Sequence, residues 1–304
     1  MKRITANLTS VYLMAATALS ASGRELRVGP GEEFPKPSAA AAAAADGDTV
    51  VLRNGTYRGD VCVWRQNRLT IKSAGTGKTI IDADGECCQG KATWIVKGND
   101  THISGITFRG AKSPDKNGAG IRLEGDNLTL TGCVFHDNEN GVLCGALPDC
   151  TVTVNRCEFF SNGAGDGYSH NLYIGKIKKL VFKNSKSHHA RIGHNLKSRA
   201  LESVVEDSEF DDGKDGTSSY LADFPNGGII TIRNCKFHQS AKASNAIMVA
   251  VGEESPPHPQ QKLDMKNNRV TNRREHGVFL KNRLEDMAKK ETGASSAKKP
   301  DKNR

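Results

Sequence analysis

The sequence predicts a parallel β-helix, a solenoid of short strands stacked coil upon coil, on three observations. A short motif recurs along the body of the chain, beginning at Gly105, Gly132, Arg156, Asn184, Asp207, Asn234 and Asn268, in steps of 23 to 34 residues. Its form is Gly, Asn or another polar residue, usually a small residue, any residue, then Phe or Val, as in Gly132-Cys133-Val134-Phe135 and Asn234-Cys235-Lys236-Phe237. Strand-like stretches with period-two alternation surround most copies, such as Leu128/Leu130 before and Gly141-Val142-Leu143 after. An Ala-rich, helix-prone segment then stands ahead of the first repeats, where a solenoid needs a plug. Strands this short cannot each bury a face alone, so each must pair with its copies above and below.

Taken from the N-terminus, Met1 to Gly23 reads as a secretory signal. Lys2 and Arg3 form its charged start, Val11 to Leu19 a short, mostly apolar run, and Ser20, Ala21, Ser22 and Gly23 a cleavable end. This predicts a secreted or periplasmic protein. Residues 24–283 are expected to form the single β-helix domain. Within it, Pro35 to Ala45 is the predicted helix that caps the open end of the stack. Asp46-Gly47-Asp48-Thr49 leads into the strand Val50-Val51-Leu52, and Asn54-Gly55-Thr56-Tyr57 into the next. The second strand of later coils is expected at Gly120-Ile121-Arg122-Leu123, Asn171-Leu172-Tyr173-Ile174, Asn195-Leu196-Lys197, Ser219-Tyr220-Leu221 and Gly277-Val278-Phe279-Leu280. A Pro-rich loop, Glu253 to Lys262, interrupts one coil and is expected to overhang the outer groove. Residues 284–304 are a Lys- and Ser-rich tail that cannot bury a core and is expected to be disordered.

Composition narrows the classes of function. The chain has 304 residues with 31 Gly and only 10 Pro, which suits many tight turns without a disordered body. No apolar run reaches the 18 or so residues of a spanning helix, so membrane insertion is not expected. Lys2 and Arg3 carry two of the nine net positive charges and the tail from Asn282 a net three, leaving a body of only +4. There is no stripe of bases interleaved with stacking aromatics, so no nucleic-acid partner is expected. The eight cysteines suit an oxidising compartment. Cys144 and Cys150, across a short loop, are the best disulfide candidates. Cys62 is within reach of Cys87 or Cys88, while Cys133, Cys157 and Cys235 share one repeat position and predict a buried thiol ladder. None has the spacing of a zinc site.

The opening, an Ala-rich helix followed by Gly47-Asp48-Thr49-Val50 and Gly55-Thr56-Tyr57, resembles the start of right-handed parallel β-helix proteins of the pectate-lyase-like superfamily. With the repeats, the resemblance covers residues 26 to 283. It implies a right-handed coil and acid–base chemistry on a polysaccharide. Several such enzymes use a basic residue as base, and many bind Ca²⁺. No convincing acidic Ca²⁺ cage stands out here, since Asp211, Asp212 and Asp215 read as an exposed turn, and no cofactor is predicted.

Side chains of successive coils line up about 4.8 Å apart on an outer face, which suits a linear polymer. Strand parity predicts Leu172, Ile174, Leu196 and Ser198 inward. It predicts Asn171, Tyr173, Asn195, Lys197, Arg199, Ser219, Leu221 and Asp223 outward, with Arg122 and Glu124 earlier on the same strip. Tyr168, His170, Arg191 and His194 lie just before these strands. For a uronic-acid polymer, β-elimination needs a neutralised carboxylate, a base for the proton beside it, and an acid for the leaving oxygen. Arg199 and Arg191 can fork onto the carboxylate. Lys197 or His194 is the candidate base, and Tyr173 or His170 the candidate acid. Tyr168, Arg191, Asp223 and Arg122 are the candidate substrate contacts. Plainer readings stand beside these. Asn171 and Asn195 suit a stacked turn ladder, His170 and His194 share the inward parity of Leu172 and Leu196, and Lys197 and Arg199 suit a solvated face. The expected partner is an acidic polysaccharide and the expected activity a lyase. An epimerase, a glycoside hydrolase or a non-catalytic carbohydrate-binding scaffold are the alternatives. The strip is richer in bases than in paired acids, which ranks hydrolysis below elimination.

Overall fold

A computed structural model describes residues 23–284. The predicted signal except Gly23, and the predicted tail except Leu284, lie outside the described residues. The chain winds through three parallel sheets of ten, nine and nine strands. The first sheet runs from Glu25–Val28 to Lys262–Lys266, the second from Gly55–Arg58 to Arg269–Asn272, and the third from Cys62–Trp64 to Val278–Asn282. After Glu25–Val28, which belongs to the first sheet alone, each coil contributes one strand to each sheet, the motif itself forming the strand of the second sheet.

Three of the four positions of the repeat have a physical role. Its first residue makes the sharp turn between the first and second sheets. Gly105, Gly132, Arg156, Asn184, Asp207, Asn234 and Asn267 all stand there with φ between 49° and 69°. Gly and Asn tolerate this left-handed region best, which is why they recur. The last copy therefore begins at Asn267, one residue before the start read from sequence. The second residue forms a polar ladder. Cys157 Sγ accepts the Cys133 N–H at 3.4 Å, Ser185 Oγ that of Cys157 at 3.0 Å, and Ser208 Oγ that of Ser185 at 3.2 Å. A thiol or hydroxyl thus satisfies a buried donor on the coil before it. All eight cysteines are free thiols; Cys144 Sγ donates to the Gly145 carbonyl at 3.5 Å and Cys150 Sγ accepts the Asn127 N–H at 3.3 Å, and the expected bridge between them is not formed.

The fourth residue builds the core. Phe108, Phe135 and Phe159 stack with centroids 5.1 and 4.9 Å apart, and Phe210 stacks on Phe237 at 5.2 Å. Between them the motif carries Ser187. Phe182 of the first sheet fills the gap, 6.2 Å from Phe159 and 5.6 Å from Phe210. Ser187 thereby places a buried hydroxyl in the core, which matters for the site below.

The cap is a single short helix, Pro37–Ala43, two residues shorter at each end than the sequence suggests. Asp60 fixes its start, accepting the Ser38 N–H at 2.8 Å and the Ser38 hydroxyl at 2.6 Å. Ala40 and Ala41 are buried, and the helix packs on the coil that begins the third sheet with Trp64. Among the described residues no helix is long and apolar enough to cross a membrane.

Candidate functional site

Parallel pairing in the third sheet brings Arg122, Leu143, Tyr173, Lys197 and Asp223 into one row, each directly above the last. The strands are Ala119–Leu123, Asn140–Cys144, Leu172–Ile174, Lys197–Ser198 and Ala222–Phe224. A groove of about 580 Å³ opens on this face, lined among others by Arg122, Tyr168, His170, Tyr173, Lys197 and Arg199. Arg199 lies two residues past Lys197 and reaches back one coil. Its Nε donates to the Tyr173 hydroxyl at 3.0 Å, with the guanidinium carbon 5.8 Å from the ring centre. Its other nitrogens donate to Asn226 Oδ1 at 3.0 Å and Glu254 Oε2 at 2.6 Å. Lys197 Nζ donates to Glu254 Oε1 at 3.0 Å and lies 3.5 Å from Asp223 Oδ2.

Parity fails one step earlier in the coil. Asn171 and Asn195 are buried inside, next to the equally buried Leu172 and Leu196, so two consecutive residues turn inward. Leu221 is likewise in the core, beside Ala222. The asparagines join a buried hydrogen-bond chain. Asn138 Nδ2 donates to Asn162 Oδ1 at 3.0 Å, Asn162 to Asn171 at 2.9 Å, Asn171 to Asn195 at 2.9 Å, and Asn195 to Asp212 at 3.1 Å. Ser187 completes the chain, accepting from Asn171 and donating to the Asn195 carbonyl at 2.7 Å. A Phe at position 187 would lack the hydroxyl that makes these two bonds. The expected turn ladder is thus present, and it replaces the outward orientation predicted for Asn171, Asn195 and Leu221.

The inward turn swings His170 and His194 to the outer side, against the parity assigned to them. Their rings stack 4.5 Å apart, His170 against Tyr173 and His194 against Tyr220. Asn140 Oδ1, His170 Nδ1 and His194 Nδ1 each accept the backbone N–H of the next member of the row, at 2.8, 3.0 and 3.3 Å. The two His-Asn-Leu copies therefore share one structural task. Burial, with Lys197 and Arg199 adding, lowers His170 to about 3, and burial lowers His194 well below the ordinary range. Both rings are neutral at neutral pH. Both rings are buried; His170 still borders the groove, whereas His194 lies behind it with Nε2 3.5 Å from Asp223.

Asp223 lies beneath Lys197 at 2% exposure, with one carboxylate oxygen lacking a hydrogen-bond partner. Burial raises it to about 7, opposed by Lys197 and reinforced by Glu254. A raised carboxyl favours the folded chain most at low pH, and that contribution fades as pH rises from about 4 towards 7. The two histidines act in the opposite sense, costing stability as pH falls below about 6.5. In Asp223→Asn one compensating proton is lost, so between pH 4 and 6.5 the slope of unfolding free energy against pH should steepen by about 1.4 kcal/mol per unit. Urea melts at half-unit intervals read this slope. An unchanged slope would mean that Asp223 is ionised across the range.

Of the residues singled out from sequence, Arg122, Tyr168, His170, Tyr173, Lys197 and Arg199 share the groove, and His194 and Asp223 form its underlying layer. Arg191 is elsewhere: it pairs with Asp137 in a second depression lined by Lys112, Lys116 and Glu139. Glu124 is held by Lys91 and Lys97. Two groups escaped sequence reasoning, namely Glu254 and Asn226, and Asp212, read as part of an exposed turn, is instead fully buried and bonded to Asn195. Only Glu254 had a signal, its place in the Pro-rich loop. Among the described residues no group of three or more His, Cys, Asp or Glu is arranged to hold a metal ion. Asp211 pairs with His238, Asp212 is in the core and Asp215 pairs with Lys242, so these aspartates do not fit a Ca²⁺ cage.

Residues 34–174 match the family described as "Right handed beta helix region". No curated protein matches the sequence significantly. Among solved structures, the pectate lyase Pel9A superposes with a TM-score of 0.56 at 16% identity, covering 86% of this chain and 79% of that one. The pectin methylesterase PemA from Erwinia chrysanthemi gives 0.53 at 12% identity, covering 92% and 100%. The Escherichia coli protein ybhc gives 0.56 at 13% identity, covering 88% and 90%. At such identities the likeness is one of fold, and with the three-sheet coil it makes this chain a right-handed parallel β-helix.

Proposed function

We propose that this protein cleaves a uronate-containing polysaccharide by β-elimination, outside the cell or in the periplasm. The observation that carries the reading is the meeting of Tyr173, Lys197 and Arg199 from adjacent coils in one open groove. Arg199, with Arg122 further along the row, neutralises a substrate carboxylate. This acidifies the proton on the carbon beside it. Lys197, in its amine form, takes that proton. The released electron pair forms the carbon–carbon double bond as the glycosidic carbon–oxygen bond breaks. Tyr173 protonates the departing oxygen. Its hydroxyl oxygen already accepts from Arg199, which leaves its own proton free to donate. The guanidinium beside it offsets the negative charge left behind. His194 is passed over as base because both its nitrogens are engaged behind the groove. Tyr168, 87% exposed at the rim, offers a flat face for a sugar ring.

The fold is shared by a pectate lyase and by pectin methylesterases, so it does not choose the chemistry. The test is the ultraviolet absorbance of unsaturated uronate ends, measured with alginate, pectate, glucuronan and bacterial exopolysaccharides. Absorbance growing with at least one of them is the expected result. Exchange of substrate hydrogen with solvent but no unsaturated ends would instead identify an epimerase. Tight binding with neither would leave a carbohydrate-binding scaffold.

A further inference from the structure

Glu254 sits where the proposed chemistry needs a substrate carboxylate. Its two oxygens bridge Lys197 and Arg199, at 3.0 and 2.6 Å, and it lines the groove with them. The carboxylate is supplied from 55 and 57 residues away, by the loop between Val251 and Lys262. That loop is pinned at both sides of Glu254. The Glu254 N–H donates to the Pro225 carbonyl at 2.8 Å, and His258 bonds the Asn226 and Arg199 carbonyls at 2.9 and 3.0 Å. Asn226 ties the assembly together, accepting from Arg199 and donating to the Pro256 carbonyl at 2.9 Å. The backbone of this strap is therefore anchored over the groove, while the Glu254 side chain is still 43% exposed. A side chain so placed can rotate away without the strap unfolding.

We propose that Glu254 is a built-in competitor for the uronate carboxylate, a self-inhibiting contact that each incoming sugar must displace. The inference rests on the lyase reading above. While Glu254 is in place, the Arg199 fork is occupied and the Lys197 Nζ is engaged by the same carboxylate. A ligand carboxylate that displaces it recovers both groups at once. Neutral sugars and methyl-esterified uronates carry no charge to compete with, so the same contact biases the groove towards free acids.

Calorimetry with a defined oligogalacturonate and an oligomannuronate, on the wild-type chain, Glu254→Gln and Glu254→Ala, tests this. Both variants should bind an acidic oligomer about 10-fold more tightly, the factor by which a site nine-tenths filled by its own carboxylate hides from ligand. KM should fall equally, with kcat undiminished, and methyl-esterified oligomers should show no gain. Equal or weaker binding in both variants overturns the proposal and leaves the lyase reading standing if products still form. A fall in kcat at unchanged KM also overturns it, making Glu254 a positioning residue. If no acidic oligomer binds any of the three proteins, and no polymer yields unsaturated ends, the inference and the lyase reading fall together.

Discussion

Replacing Lys197 with Ala should lower kcat/KM on a uronate polymer by about 10²- to 10⁴-fold, the usual worth of a positioned general base. Tyr173→Phe should cost a similar factor through loss of the acid. The two losses should not add fully, because both groups serve one proton-transfer sequence. The variants differ in what else they disturb. Lys197 also stands 3.5 Å from the buried Asp223, so its removal deprives that carboxylate of a cation. Melting Lys197→Ala at pH 6 and pH 8 separates the effects. At pH 6 Asp223 is largely protonated and the fold should be near wild type, while at pH 8 the melting temperature should drop. Tyr173→Phe removes only a hydroxyl that accepts from Arg199, so its activity loss should come without a stability loss. Unchanged turnover in both variants would remove the proposed site.

Asn195→Ala is expected to be the most damaging single change in the wall behind the groove. Asn195 accepts from the Asn171 side chain at 2.9 Å and from the Ala190 N–H at 3.1 Å, and it donates to Asp212 at 3.1 Å. All are buried, and each polar group left unpaired costs about 1–3 kcal/mol. Loss of three such bonds should remove several kcal/mol from a stability on the order of 5–15 kcal/mol. Asp212 is the most sensitive partner. Burial already raises its carboxyl, opposed by the bonds from Ser218 and Asn195. Without Asn195 that carboxyl should rise further and favour its neutral form. A urea midpoint within experimental error of wild type would show that the amide chain contributes little. Because Asn171 and Asn195 lie directly behind His170 and His194, the same variant should also weaken oligomer binding at temperatures where it is folded.

Much of this architecture is legible along the chain because a solenoid repeats one physical problem. Each coil needs a left-handed turn, a donor satisfied from the next coil and an apolar side chain in the middle. Gly132-Cys133-Val134-Phe135 and Asn234-Cys235-Lys236-Phe237 answer it in the same order. The last copy slipped by one residue because Asn267 and Asn268 are adjacent and either can start the motif. The groove row was also readable, since Tyr173, Lys197 and Asp223 occupy equivalent strand positions.

What failed was strict alternation at Asn171-Leu172 and Asn195-Leu196. Period-two logic holds only inside regular strand, and here the strands begin at Leu172 and Lys197. Just before them the backbone turns a corner, and an amide chain draws the asparagines in while the histidines swing out. A residue of another sheet takes part, Ser187, whose hydroxyl bonds both asparagines where other copies of the motif carry Phe. Arg191 was misplaced for a similar reason, since the turn between it and His194 carries it to Asp137.

By itself, then, the amino-acid order determined the coil, its turns, its aromatic spine and the cationic row, because these depend on spacing between near neighbours and on equivalence between copies. Only the tertiary structure decided which histidine reaches the groove, that Asp223 lies beneath Lys197 without a full set of partners, and that Glu254 bridges the two central cations. Those facts depend on burial and on contacts between residues as many as 57 positions apart, for which a single sequence carries no local signature.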